Sequence, residues 1–155
     1  MTMKSIKPEE RKYIVIHSSF TRKNDFIGLR EMEKKHRSQH KLSIGYHAVI
    51  QRDGIIEYGR PLNNAGAHLE GHDREALGIC MIGGRSAAGK PQDNFTDAQF
   101  KNLKWLLNNL AASFPNANVV GHSKLDELSK CPHFSVSEFL MREGLAHLTS
   151  RSPKE

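Results

Sequence analysis

Two histidines in this chain each close a short apolar, β-branched run: His17 ends Tyr13 to His17 (YIVIH), and His122 ends NVVGH. Cys131 follows nine positions after His122, directly before Pro132. In an α/β chain the ends of buried strands are where such folds carry their sites. Two imidazoles and one thiolate form a good zinc set, and three protein donors leave a fourth position for water. A metal held there lowers the pKa of bound water to about 7 and polarises a carbonyl. The spacing alone fits a plainer arrangement equally, two packed histidines and a buried free thiol.

Other residues have two readings as well. Tyr46 and His47 lie in GYH just before a strand, and pack on the sheet or face the site. His68 lies in NNAGAHLEGH, a loop too polar to be core, which favours a ligand-facing role. His36 and His40 sit four apart but lack the glutamate of the zinc-protease helix signature, so a solvated face is expected. His72, His133 and His147 are read as surface or packing residues. Cys80, among Ile79, Met81 and Ile82, reads as a small buried hydrophobe. Gly84 to Lys90 (GRSAAGK) imitates a phosphate-cradling loop, but Pro91 stands where a magnesium-binding hydroxyl must open a helix. Asn94-Phe95-Thr96 matches a glycosylation sequon and is read as the start of a helix.

The elements that must position these residues are short. Tyr13 to His17, Ala76 to Ile82 and Asn118 to Val120 read as buried strands. His47 to Arg52 and Ile55 to Arg60 flank Asp53-Gly54, predicting a hairpin with a two-residue turn whose central residues both take positive φ. Leu29 to Gln39 reads as a charged helix with a narrow apolar stripe. Thr96 with Gln99 forms a capping box ahead of Phe100, Leu103, Leu106, Leu107, Leu110 and Phe114 at helical spacing. Ser135 with Glu138 caps a last helix. Strands alternating with amphipathic helices predict an α/β fold with a mixed central sheet flanked by helices, in a single domain.

Composition bounds the partners. The 155 residues suit one domain, with 37% hydrophobic and 26% charged residues. Residues 1–12 read as a polar N-terminal extension, 13–148 as the domain and 149–155 as a frayed tail. No apolar run approaches the roughly 20 residues of a membrane span. The polar first dozen residues lack a secretory signal, so synthesis in the cytoplasm is expected. Two cysteines exclude a disulfide framework. The net charge of +6 favours anionic partners, and no specific nucleic-acid motif accompanies it.

Taken together, IVIHSS, GYHAVIQRDGIIEYGR, GAHLEGHDREALGICMIGG and VVGHSK…CPHF resemble the zinc-dependent N-acetylmuramoyl-L-alanine amidases, and most closely the small bacteriophage lysozymes (endolysins) of that type. The likeness runs from about Tyr13 to Leu140, in the family order. It implies zinc (Zn2+) held by His17, His122 and Cys131, and cleavage of the amide between the lactyl group of muramic acid and L-alanine of peptidoglycan. It further implies that Tyr46 orients water or donates to the developing oxyanion, and that His68 contacts the substrate. Phage relatives carry a catalytic lysine two positions before the cysteine. Here that position is Ser129 and Lys130 stands beside Cys131, so either Lys130 or Ser129 takes that role, with Lys130 preferred. The resemblance implies a protein made in the host cytoplasm that reaches the periplasm and cell wall at lysis; a monomer is expected, though nothing in the residues fixes the oligomeric state. It leaves open an additional role as an inhibitor of the phage RNA polymerase, or a non-catalytic peptidoglycan-binding module.

Overall fold

Tyr13–Ser18 forms strand β1, and its register with two neighbours organises the molecule. In the computed structural model, residues 5–25, 27–38 and 44–151 are described. Helix α1 (Leu29–Ser38) is followed by β2 (Ala48–Ile50) and β3 (Ile56–Tyr58), then β4 (Ala76–Met81), α2 (Asp97–Ser113) and β5 (Asn118–Gly121). A one-turn helix α3 (His122–Leu125) and helix α4 (Val136–Arg142) complete the series, with 3-10 turns at Pro8–Glu10 and Ala146–Thr149. The sheet order is β3-β2-β4-β1-β5; β2, β4, β1 and β5 run parallel and β3 is antiparallel. This is the mixed sheet expected.

Alternation along the strands sorts the two faces. Ile14, Ile16, Ile50, Leu77, Ile79, Met81 and Val119 point to one side and pack on Leu103, Leu106, Leu107 and Leu110 of α2 and Phe139 and Leu140 of α4. On the other side Val49, Cys80 and Ile82 meet Met32 of α1 and Ile44, while Val15 and Ala76 meet Leu69. Cys80 is indeed a buried hydrophobe of the sheet. The capping box of α2 is present, Thr96 Oγ1 accepting from Gln99 N. Gln99 does more: fully buried, its amide donates to Ile50 O (3.2 Å) and Ile82 O (2.8 Å), tying the helix start to two strand ends.

Several expectations are corrected. The hairpin strands are three residues each, and its loop is not a two-residue turn. Gln51 O accepts from Gly54 N (2.8 Å), Gln51 N donates to Ile55 O (2.9 Å), and Gly54 is left-handed at φ +90 while Asp53 is not. That is a three-residue loop closed by a glycine bulge, and Asp53 Oδ1 helps hold it by accepting from Ile55 N (3.0 Å). His36 is buried rather than solvated: its Nδ1 accepts from Gly45 N (2.7 Å), and its ring lies 5.2 Å from Tyr46. Its supposed partner His40, and Gln39, lie outside the described residues. Of the expected frayed tail, residues 152–155 lie outside the described residues; before them Arg151 N donates to Asn118 Oδ1 (2.6 Å) and its guanidinium to Phe114 O (3.2 Å). After the imitation phosphate loop no helix begins until Asp97; Arg85 pairs with Pro91 instead.

Part of the segment expected as a polar extension is packed. Ile6 is buried, and Ile6 N donates to Asn63 O (2.8 Å). Arg11 is fully buried; its guanidinium donates to Asp73 O (3.4 Å), Arg74 O (2.9 Å), Ala76 O (3.3 Å), Leu62 O (3.0 Å) and Asn64 O (2.6 Å). One cation thus gathers the 61–75 loop onto the start of β4. Burial lowers its pKa to about 10, leaving it charged at neutral pH. His47 completes this support: Nδ1 accepts from Gly78 N (3.0 Å), so Nε2 carries the hydrogen and donates to Asn64 O (2.8 Å).

Arg11→Met keeps the length and leaves five carbonyls without the guanidinium donors, so it should destabilise by about 3 kcal/mol or more, read from denaturant midpoints. Arg11→Lys should recover little of this, because a point ammonium cannot span the two sets of carbonyls. Burial also pushes the His47 pKa down to about 4. Above about pH 6.5 neither state is protonated; between 6.5 and 4 the unfolded chain binds a proton that the folded one refuses, so stability falls with pH by up to about 3 kcal/mol. His47→Gln should show a shallower loss between pH 7 and 4.5 than the parent, and an equal slope would assign the loss elsewhere.

Candidate metal centre

The register of β1 and β5 pairs Ile16 with Gly121, so the next residues, His17 and His122, emerge side by side at the carboxyl ends of two parallel strands. Their ring centroids are 4.7 Å apart. The loop after α3 turns back, Ser123 N donating to Cys131 O (2.9 Å), and carries the thiol to the same place. Donor atoms of His17, His122 and Cys131 all lie within 4.8 Å of one another. Bond lengths of about 2.1 Å to nitrogen and 2.3 Å to sulfur set donor separations of roughly 3.3–3.6 Å at tetrahedral angles. The trio is therefore a group able to hold a metal ion, with two nitrogens and one sulfur of the borderline-soft kind.

Each member has a partner that orients it. His122 Nδ1 is 3.3 Å from Ser129 Oγ, and Nε2 is 3.4 Å from Asp126 Oδ2. Ser18 N donates to Cys131 Sγ (3.0 Å). His17 Nε2 is 2.9 Å from His68 Nδ1. Because His68 Nε2 donates to Ala76 O (3.1 Å), a neutral His68 accepts at Nδ1, and a neutral His17 then has its lone pair on Nδ1. Burial holds the His68 pKa well below the ordinary histidine value, and it lowers that of His122 against the pull of Asp126. The shift at His122 favours the unprotonated ring that a metal ligand needs, and the neutral His68 fixes the His17 tautomer. Burial raises the Cys131 thiol, and the Ser18 donors oppose that rise.

His68 reaches the centre because the sheet has no side chain beneath it. A Cβ at Gly78 would stand 2.7 Å from the His68 ring. Asp73 Oδ1 fixes the loop by accepting from His68 N and Leu69 N, both at 2.8 Å. The Tyr46 ring lies 5.2 Å from that of His17, inclined at 57°; burial, with Cys80 and Cys131 nearby, raises its pKa well above 10, so its hydroxyl stays a proton donor.

The structure therefore brings His17, His122, Cys131, Tyr46 and His68 together. Lys130 behaves differently: it is exposed, while Ser129 Oγ accepts from Cys131 N (3.1 Å) and touches His122. Sequence reasoning passed over Ser18, Gly78, Asp73 and His133. Ser18 and Gly78 stand in strand runs and carry no signal of their own, whereas Asp73 lies five residues after His68, a spacing that suits a side chain capping a loop.

Comparison with known proteins agrees with this geometry. Residues 7–134 match the family described as N-acetylmuramoyl-L-alanine amidase. An endolysin of Klebsiella phage KP32 is 35% identical over 139 residues, covering 90% of this chain and 91% of the other. An endolysin of Enterobacteria phage K11 is 34% identical over 134 residues, covering 86% and 88%. The fold is shared with an N-acetylmuramoyl-L-alanine amidase from Clostridium intestinale at a TM-score of 0.76 and 22% identity, covering 94% and 95%. A match over most of the length, with a two-histidine, one-cysteine centre at its strand ends, means that the chain belongs to the N-acetylmuramoyl-L-alanine amidase family.

Proposed function

We propose that this chain is an endolysin that hydrolyses the amide bond between N-acetylmuramic acid and L-alanine in bacterial peptidoglycan, using zinc held by His17, His122 and Cys131. The observation that carries the reading is the convergence of those three donors in a chain of this family. The set fits zinc by its chemistry, since nitrogen and thiolate donors suit it and three of them leave a position open. Bound there, zinc would supply a Lewis acid for the amide carbonyl and acidify a water molecule.

The chain's own residues do the remaining work. Tyr46, protonated in its buried setting, donates to the amide oxygen as negative charge builds there. His68 holds the His17 ring and lines the floor on which the substrate rests. Ser129 orients His122 through its hydroxyl, and we assign it this role ahead of Lys130, whose side chain extends into solvent. Made in the host cytoplasm and acting as a monomer on the wall at lysis, the protein would use its net charge of +6 to find anionic wall polymers.

Digestion of purified peptidoglycan should expose new L-alanine amino termini without new reducing sugars, stop on chelation and resume with added zinc. New reducing ends would instead make the enzyme a glycosidase and overturn the reading. Ser129→Ala should lower kcat by about tenfold, whereas Lys130→Ala should stay within about twofold in kcat and show its effect, if any, in KM. The reverse order would return the role to Lys130.

A further inference from the structure

Among the described residues, Phe20 and His133 are the non-glycine positions with left-handed backbone, at φ 53 and 70. They are neighbours, with ring centroids 5.1 Å apart, and they flank Ser18 and Cys131. Bulky residues hold such angles only where their surroundings enforce them, and such positions gather at functional sites. Here the conformation turns His133 Nδ1 to within 2.8 Å of Ser18 Oγ, and that oxygen lies 3.8 Å from Cys131 Sγ, long but within reach of sulfur. Gly84 leaves the room: a Cβ there would meet Ser18 Oγ at 3.0 Å and His133 Nδ1 at 3.1 Å.

We propose that His133 is a positioning residue for the cysteine ligand. Its Nδ1–H donates to Ser18 Oγ, which turns the hydroxyl hydrogen toward Cys131 Sγ. The thiolate then receives two donors from one residue, Ser18 N–H at 3.0 Å and Ser18 O–H. The opposite polarity would aim a hydroxyl lone pair at the sulfur, which a thiolate repels. A neutral ring with its hydrogen on Nδ1 suffices for the chain of donors. Phe20 closes the outer side of the imidazole, and Arg85 lies 5.8 Å from the Phe20 ring centroid, so the ring is held from the back as well as by its hydrogen bond. Nothing in the order of residues marks His133, which follows the cysteine by two positions; the role arises from its backbone angle.

The inference rests on Cys131 being a metal ligand, and the experiment separates the two. Zinc affinity is measured by competition with a chromophoric chelator, and the cobalt-substituted protein is examined for its thiolate-to-cobalt charge-transfer band. His133→Gly relieves the backbone angle but removes the donor; His133→Asn keeps an amide N–H at the same place and tolerates the angle. His133→Gly and Ser18→Ala should each weaken zinc binding by about tenfold or more and alter the band, as loss of a group behind a metal ligand does. His133→Asn should stay within about threefold of the parent. The double variant should be no weaker than the worse single one, as for two members of one chain of hydrogen bonds. A His133→Gly protein with parental affinity and an unchanged band would overturn the positioning role while leaving the metal site standing. Parent protein that takes up no zinc, or a Cys131→Ser variant that binds as the parent does, would overturn the metal site and the positioning role together.

Discussion

Strands β1 and β5 are far apart in sequence, and everything at the site depends on their lying side by side in one register. Ile16 opposite Gly121 sets His17 beside His122; a slip of one residue would turn one imidazole to the other face of the sheet, because side chains alternate. That register is fixed by burial rather than by the histidines. Ile14 and Ile16 of β1 and Val119 of β5 must face α2 and α4, and the apolar area they cover there outweighs what the polar face contributes. The catalytic face is, in this sense, whatever the core face leaves.

A polar cluster on a buried sheet face carries a cost that the structure offsets locally. His68, His47 and Tyr46 are desolvated and kept in their neutral forms, and each of the two histidines has a backbone partner on both ring nitrogens or on one ring nitrogen plus a second histidine. Arg11 is the extreme case, a buried cation held by five carbonyls, with the Glu10 charge as a further favourable influence. These groups gather the 61–75 loop over Gly78 and so bring His68 beside His17 in the two-histidine, one-cysteine cluster. Neutral imidazoles with directed lone pairs follow from desolvation, and a second cation, Arg60, also reaches the cluster's edge, donating to Ile44 O (2.8 Å) and Ala65 O (2.9 Å).

Much was legible in the residues themselves. YIVIH announced a buried strand ending on a histidine, Thr96-Gln99 and Ser135-Glu138 announced two helix starts, and both caps are formed. The Asp53-Gly54 pair announced the hairpin but not its loop, because the choice between a two-residue turn and a bulge depends on what packs against it: a Cβ at Gly54 would stand 2.8 Å from Ala98 O of α2. His36 was misread as solvated for a similar reason, since its partners Gly45 and Tyr46 come from beyond its own helix. The preference for Lys130 over Ser129 rests on likeness of charge to a family position, and the sequence carries no sign that the Ser129 hydroxyl lies 3.3 Å from His122 Nδ1.

The sequence alone determined the strands, the capped helices, the two apolar faces and the residue types able to hold a metal, because periodicity and capping are written in near neighbours. Only the tertiary structure decided which groups meet. Gly78, Ser18, Asp73 and His133 are ordinary in the chain and take their meaning from contacts with residues far from them or from a backbone angle that no local preference specifies. Hydrogen bonds and van der Waals clearances act over a few ångströms, so their partners are fixed only once the core has set the distances between strands.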